Sequence, residues 1–208
     1  AVYVFDSGIR TTHDEFKNKP SGYVINIYDH WNCRYSNGFC YDKGSVLIGN
    51  NDESKRGTHG TLVAAVLGGK NGVAPGCMIH GVKVFSKGGH TTGTITTAMS
   101  RLRNVFKQHF VNNQPVLVSM SGGTNHKHDV LNRFFSGLRD FGVLSVVSAG
   151  NDGVHVDNVS PASEPKVISV MAVDSNDKLV ASTWSSNYGG DISAPGRAIY
   201  TATALSLS

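Results

Sequence analysis

Three short motifs in this chain of 208 residues contain side chains that could act together in acid–base chemistry. Asp6 follows an apolar run, His59 opens a stretch of small and apolar residues, and Asn151 follows Ser148-Ala149-Gly150. A carboxylate can orient an imidazole, a histidine can take a nucleophile's proton, and an amide can donate to an oxyanion. The set predicts nucleophilic catalysis, although each residue alone also fits a structural role, such as a capping histidine or a turn aspartate.

The surrounding pattern predicts the elements that hold these residues. The apolar run 62–67 predicts a buried helix with His59 at its N-terminal end. Periodicity predicts further helices and apolar runs predict strands. Their alternation indicates the α/β class with a largely parallel sheet. Asp6, Ser121 and Asn151 then follow the carboxyl ends of strands, where the sites of such sheets collect. The predicted helices are 94–110 and 129–141, and the predicted strands are 2–5, 23–31, 78–85, 116–120, 143–147 and 167–173.

Composition excludes several classes of protein. The length and the 39% hydrophobic content fit one large domain or at most two small ones. The net charge of +4 comes from dispersed Lys and Arg residues, so no nucleic-acid partner is expected. No apolar stretch approaches the 18 residues of a membrane-spanning helix, so no membrane partner is expected.

The chain has three cysteines, so at least one of them cannot form a disulfide within the chain. Asn37-Gly38 predicts a tight turn between Cys33 and Cys40, which either form a local disulfide or remain free thiols. Cys77 has no obvious partner, and no second Cys or His pair follows at zinc-ligand spacing.

The motifs resemble those of a known family. Val4-Phe5-Asp6-Ser7-Gly8 resembles the aspartate motif of subtilisin-like serine proteases (peptidase family S8), and the stretch from His59 to Ala65 resembles their histidine motif. Ser148-Ala149-Gly150-Asn151 resembles their oxyanion motif. The runs 81–84, 160–165 and 186–189 are similar to the proteinase K-like branch. This resemblance implies a single peptidase domain over residues 1–208, with a subtilisin-like three-layer α/β/α fold around a largely parallel central sheet.

The resemblance also implies roles for individual residues. Asp6 and His59 match two members of an Asp-His-Ser triad, and Asn151 matches the oxyanion donor. Two edge segments would pair with substrate backbone, and a third would form the floor of the pocket for the residue before the scissile bond. That floor has no fixed charge, so we expect apolar or aromatic residues there. The edge segments are Gly89-His90-Thr91 and Met120-Ser121-Gly122, and the pocket floor is Ser148-Ala149-Gly150.

The sequence departs from the family pattern in several places. Leu62 stands where the histidine motif has a second His, Ala65 replaces a Gly, and Ser121 occupies a position usually held by Gly. No serine matches the nucleophile, because Ser206 and Ser208 lack the flanking glycine and the helix. The family's region before the aspartate strand is also absent. We therefore expect a partial sequence truncated at both ends, inactive as it stands, with the nucleophile beyond residue 208.

The resemblance implies further properties of the whole protein. Calcium would be held by the carbonyls of Pro165 and Val167 and by Asp191, although a solvated aspartate near a turn is the alternative. No cofactor is expected for catalysis. Protein or peptide substrates, secretion to the extracellular space, a monomer and an N-terminal inhibitory propeptide in the precursor are expected.

Two other classes of function remain open. The first is a catalytically silent subtilisin-like binding module, which would lack the nucleophile in the complete sequence. The second is an unrelated doubly wound nucleotide-binding domain. It is disfavoured because no Gly-x-Gly-x-x-Gly opens a helix after the first strand.

Overall fold

Two compact units make up the chain, and each is described by itself. The first comprises residues 1–116 and 201–208, and the second comprises residues 117–200. The structure is a computed structural model. It describes residues 1–20, 23–29, 33–36, 39–42, 59–85, 95, 98, 102, 106, 107, 112, 114–181 and 185–202.

The first unit is built on three parallel strands. They lie in the order β2-β5-β1, and their register places Tyr3 opposite His80 and Asp6 opposite Lys83. All five residues of β1 are buried. Parallel strands are usually covered on both faces, which accounts for the continuous apolar run before Asp6. The predicted strands at 2–5, 23–31 and 78–85 are confirmed. The strands are β1 (Val2–Asp6), β2 (Val24–Asp29), β3 (Cys33–Ser36), β4 (Phe39–Asp42) and β5 (Ile79–Lys83).

Helix α1 (His59–Gly68) begins at the histidine, as predicted, and packs against β1 and β5. The prediction that its apolar run is buried is wrong in part. Val66 is exposed, and the larger residues around it are only partly covered. The fully buried positions are mostly small, which lets the helix backbone approach the sheet closely. They are Gly60, Thr61, Ala64, Ala65 and Gly68.

Two short strands flank the predicted turn between Cys33 and Cys40. Strands β3 and β4 pair antiparallel, with Cys33 opposite Asp42 and Cys40 opposite Tyr35. The predicted turn at 37–38 lies outside the described residues, and the Cys33–Cys40 disulfide remains a prediction. Cys77 is a free, half-buried thiol.

The predicted helix at 94–110 is described at single residues only. Those residues have helical conformation, and all but Lys107 are buried. The rings of Phe106 and Tyr3 in β1 pack nearly perpendicular to each other, with their centroids 4.8 Å apart. The helical residues are Ile95, Ala98, Leu102, Phe106 and Lys107.

The second unit contains four parallel strands in the order β6-β7-β8-β9. The strands are β6 (Leu117–Met120), β7 (Leu144–Ser148), β8 (Ile168–Val173) and β9 (Ile192–Pro195), and helix α2 (Asp129–Asp140) packs on β7. Strand β9 was not predicted, because its four residues are short of apolar character and mostly exposed.

Helix α2 confirms the prediction for 129–141 with one correction. The sequence pattern places Val130, Leu131, Phe134, Phe135 and Leu138 on the apolar side of this helix. Leu131, Phe135 and Leu138 are buried, but Val130 is 57% exposed. Buried Asn132 lies on the inner face instead, where its amide donates to Ser163 Oγ over 2.8 Å.

Alternating strands and helices in both units confirm the α/β class with parallel sheets. Strand β1 ends at Asp6, Ser121 directly follows β6, and β7 ends at Ser148, where the motif containing Asn151 begins. Within the part of the chain that the structure describes, no helix is long and apolar enough to cross a membrane.

Candidate active site

A histidine–aspartate pair forms the site in the first unit. Asp6 Oδ1 lies 2.8 Å from His59 Nδ1. The Asp6 side chain is completely buried, whereas the His59 side chain is half exposed. An ionised carboxylate can only accept hydrogen bonds, so Nδ1 must donate, and Nε2 is then the basic nitrogen of the neutral ring. The pair therefore has the geometry of an oriented general base.

The Asp6 carboxylate is fixed by its own backbone surroundings. The Ser7 N–H donates to Oδ1 over 2.7 Å. The Asp6 carbonyl accepts from the N–H groups of Val84 and Phe85, just after β5, at 2.8 and 3.1 Å. Asp6 Oδ2 is buried and has no hydrogen-bond partner among the described residues. Oδ1 thus accepts from both the Ser7 N–H and the imidazole, which holds the carboxylate against the ring.

Close packing ties the turn after β1 to the first turn of α1. The Gly60 N–H donates to Ser7 Oγ over 3.0 Å, and the Arg10 N–H donates to Thr61 Oγ1 over 3.0 Å. A Cβ at Gly60 would lie 2.1 Å from the Gly8 carbonyl oxygen and 3.2 Å from Asp6 Oδ1. Only a glycine lets the turn after β1 and the first turn of α1 approach this closely. Sequence reasoning quoted these residues as motif members but missed this contact.

The second unit contains a cavity of about 260 Å³ around the predicted pocket and oxyanion residues. Ser121 and Gly122 line it together with Ser148, Ala149, Gly150 and Asn151. Their roles in substrate binding and oxyanion stabilisation stay predictions. Met120 does not line it, since its side chain is buried, so any contact of Met120 with a ligand would use its backbone. Residues that sequence reasoning missed also line the cavity: Gly123, Thr124, Asn125, Asp152, Val159, Ser160 and Ala162.

The walls of the cavity carry one charge that the sequence interpretation omitted. Ser148, Ala149 and Gly150 are uncharged, as expected, but the exposed Asp152 also lines the cavity. The position of Asp152, directly after Asn151, was the available signal. The expectation of an uncharged floor concerned residues 148–150 alone, and Asp152 adds a carboxylate elsewhere in the lining.

The remaining edge segment, Gly89-His90-Thr91, lies outside the described residues. Its pairing with substrate stays a prediction.

The predicted calcium ligands lie around the start of β8. Asp191 Oδ2 accepts from the Ser169 N–H and the Ser169 hydroxyl, each over 2.7 Å. These bonds, the backbone one first, lower the pKa of Asp191 below its ordinary value. Ser169 lies two residues after Val167, so Asp191 is close in register to the predicted carbonyl ligands. No cluster of three or more His, Cys, Asp or Glu side chains suited to a metal occurs among the described residues. A calcium ion here would therefore depend on backbone carbonyls.

Comparison with known proteins agrees with the geometry. The model of the subtilase family, Peptidase S8, matches residues 1–208. The chain is 33% identical over 208 residues to a cuticle-degrading serine protease of Arthrobotrys oligospora, covering 99% of this chain and 45% of that protein. It is 36% identical over 203 residues to the alkaline serine protease ver112 of Corniculantispora psalliotae, covering 95% and 46%. The chain thus spans less than half the length of these relatives.

A solved structure supports the same assignment. The crystal structure of a cold adapted subtilisin-like serine proteinase is 29% identical, with a TM-score of 0.72, over 97% of this chain and 64% of that one. The predicted subtilisin-like α/β fold is confirmed. The chain belongs to the subtilase family of serine peptidases.

Proposed function

We propose that the complete protein is a serine endopeptidase that cleaves internal peptide bonds through an acyl-enzyme. The 2.8 Å contact between fully buried Asp6 and half-exposed His59 carries this proposal. A carboxylate held out of water against Nδ1 orients the ring and stabilises its protonated form, as general-base catalysis requires.

In the proposed reaction, His59 Nε2 takes the proton of the nucleophilic serine hydroxyl of the complete protein. The serine oxygen attacks the peptide carbonyl, and the amide of Asn151 with the serine N–H stabilises the oxyanion. Collapse expels the amine, which receives the proton from His59. Water, deprotonated by His59, then attacks the ester. The carboxylic acid product leaves as His59 returns that proton to the serine oxygen.

Labelling of the nucleophile tests this proposal. The full-length protein would be treated with a serine-directed fluorophosphonate and its intact mass measured, beside a His59→Ala variant. We expect one adduct on the wild type and almost none on the variant. Absence of labelling in a wild type that still binds peptides would favour a catalytically silent binding module instead.

We further propose extended peptides and proteins as substrates. The Met120-Ser121-Gly122 segment and its partner 89–91 would pair with peptide backbone, a contact that does not depend on side chains. The mostly small and uncharged lining of the cavity supports apolar or aromatic residues before the scissile bond, and the Asp152 carboxylate would disfavour acidic ones. In a peptide library, Asp152→Asn should raise kcat/KM for acidic residues alone. An equal change for all residues would contradict this role.

A calcium ion bound by Asp191 and the carbonyls of Pro165 and Val167 is also proposed. These are oxygen ligands of the kind calcium prefers, and the position of Asp191 next to Ser169 supports their proximity. Calcium that binds only the folded state raises the melting temperature. That shift should be present in wild type and lost in Asp191→Ala, measured with calcium and with chelator. Equal shifts would exclude this site.

Secretion is proposed for the complete protein, as a monomer with an N-terminal inhibitory propeptide in its precursor. The name of one relative, a cuticle-degrading protease, describes action on an extracellular material and supports this proposal. N-terminal sequencing of the protein from culture supernatant, with its mass in gel filtration, tests all three features. Protein confined to the cell would contradict secretion.

A further inference from the structure

The loop that carries Asn151 is hydrogen-bonded on both of its sides to one buried side chain, that of Asn187. Asn187 is completely buried. Its Nδ2 donates to the Ala149 carbonyl over 2.8 Å. Its Oδ1 accepts from the N–H groups of Asp152 and Val154 over 2.9 and 3.0 Å. One amide thus holds the chain before and after Asn151.

Backbone contacts extend this attachment. The Asn187 N–H donates to the Gly150 carbonyl over 2.9 Å, and the Gly153 N–H donates to the Ser185 carbonyl over 3.0 Å. Gly150 has a φ of +103°, and a Cβ there would lie 2.5 Å from Asn187 Nδ2. The glycine in this motif therefore permits both the left-handed backbone and the close approach of the Asn187 amide.

Asparagine is the side chain that satisfies this environment. The loop presents one carbonyl and two N–H groups to this buried side chain, so the partner needs a donor and an acceptor on one short amide. An ionised aspartate has the same shape but cannot donate to the Ala149 carbonyl. Alanine would leave all three backbone groups without this partner, which is unfavourable in a buried place.

The Asn151 side chain has no comparable support of its own. It is exposed, lines the cavity, and makes no hydrogen bond to any described residue. The positions that its amide can reach are therefore set by the backbone on either side, which Asn187 holds.

We propose that Asn187 is the positioning residue of the oxyanion donor, aiming the Asn151 amide by fixing the loop 148–154. The proposal rests on the proposed peptidase function. A donor displaced by about 1 Å can lower a rate about 10²-fold. Loss of Asn187 should therefore lower kcat on that scale and change KM little, because oxyanion stabilisation acts in the transition state.

The test compares full-length variants with a matched control. Asn132 is also a buried asparagine with a side-chain partner, but it supports α2 rather than the loop. We expect Asn187→Ala to lower kcat about 10²-fold. Asn132→Ala should leave kcat within about twofold of wild type. Both variants would be assayed below their melting temperatures. Equal kcat in Asn187→Ala and wild type would overturn the proposal.

A double variant separates positioning from general stability. If Asn187 acts through Asn151, Asn187→Ala should lower kcat little further in an Asn151→Leu background, because coupled residues are not additive. Full additivity would overturn the proposal. Should Asn187→Ala fail to fold, Asn187→Asp keeps the size and two accepted bonds, and the same cycle applies.

His59→Ala, assayed in parallel, distinguishes a failure of the proposed peptidase function from a failure of the proposed role of Asn187. Wild-type activity in His59→Ala would remove the proposed function itself. An inactive His59→Ala beside a fully active Asn187→Ala would remove only the role of Asn187.

Discussion

Two histidine–aspartate pairs in this chain have the same residue types and different surroundings. In the first, His59 Nδ1 lies 2.8 Å from a carboxylate, Asp6, that is completely buried. In the second, His155 Nδ1 lies 3.3 Å from Asp157 Oδ2, and the aspartate side chain is 76% exposed. The first pair joins β1 to α1 across 53 positions, whereas the second lies within one 3₁₀ turn at Val156–Asn158.

The two imidazoles also present their Nδ1 atoms differently. His155 Nδ1 accepts from the Asp157 backbone N–H, which makes the ring a helix cap, and its ring packs edge-on against Tyr188. His59 Nδ1 donates to a carboxylate that water does not screen. An exposed pair is weakened by solvent, while a buried carboxylate keeps its full influence on the ring. Burial of the aspartate, rather than the presence of a pair, therefore distinguishes the candidate general base.

The largest expected effect separates the two histidines. In the full-length protein, His59→Ala should lower kcat on the order of 10⁶-fold, a scale measured for the subtilisin histidine rather than derived from this structure. His155→Ala removes a cap and a ring contact with Tyr188, both away from the first pair's hydrogen bond, so its kcat should stay within about twofold of wild type. Steady-state hydrolysis of a peptide anilide measures both. Similar losses of kcat in the two variants would contradict the conclusion that burial of the aspartate distinguishes the two pairs.

The second prediction concerns the glycine beneath the first pair. Gly60→Ala places a Cβ against the Gly8 carbonyl and beside Asp6, so we expect a stability loss of roughly 1–3 kcal/mol together with lower kcat. Gly137, inside α2, has open space around an added Cβ. Gly137→Ala should therefore stabilise the protein by roughly 0.5–1 kcal/mol and leave kcat unchanged. Urea unfolding of both variants provides the comparison, and a neutral Gly60→Ala would contradict the packing described.

The smallest expected effect concerns a third carboxylate, Asp191. It is exposed and accepts two hydrogen bonds from Ser169 in β8. Hydrogen bonds from Ser169 lower the pKa of Asp191 in the folded state. Its contribution is therefore complete above the ordinary carboxyl pKa, about 4, and is lost as the pH falls through the lowered value. Melting temperatures with chelator, from pH 7 down to pH 3, should fall more for wild type than for Asp191→Asn. Parallel curves would show that Asp191 contributes no such dependence.

The sequence predicted those features that are carried by contiguous residues. The apolar run before Asp6 predicted β1, and the small and apolar residues after His59 predicted α1, because each pattern reflects local burial. The same reasoning failed for Val66 and Val130, which are apolar yet exposed. Periodicity identifies a helix but does not decide which neighbours cover each face.

Contacts between residues far apart in the sequence, such as the hydrogen bonds from Asn187 to the loop of Asn151, could not be predicted in this way. Asn187 lies 36 positions after Asn151 and was noted only as part of a family-like run. Its three side-chain bonds arise because residues 185–188 fold back along the loop, a tertiary event without local signal. Asp152 was adjacent to a predicted residue but was overlooked as a cavity wall. Strand β9 was missed because most of its residues are exposed, so its sequence does not need the alternation of apolar and polar residues that identifies a strand.

The most direct measurement of the central claim is a double-mutant cycle on the first pair. kcat would be determined for the full-length wild type, Asp6→Ala, His59→Ala and the double variant on one peptide anilide. If Asp6 acts only by orienting and stabilising His59, the double variant should be no slower than His59→Ala alone. Independent losses that multiply in the double variant would contradict the account, because Asp6 would then act by a route that does not pass through the imidazole.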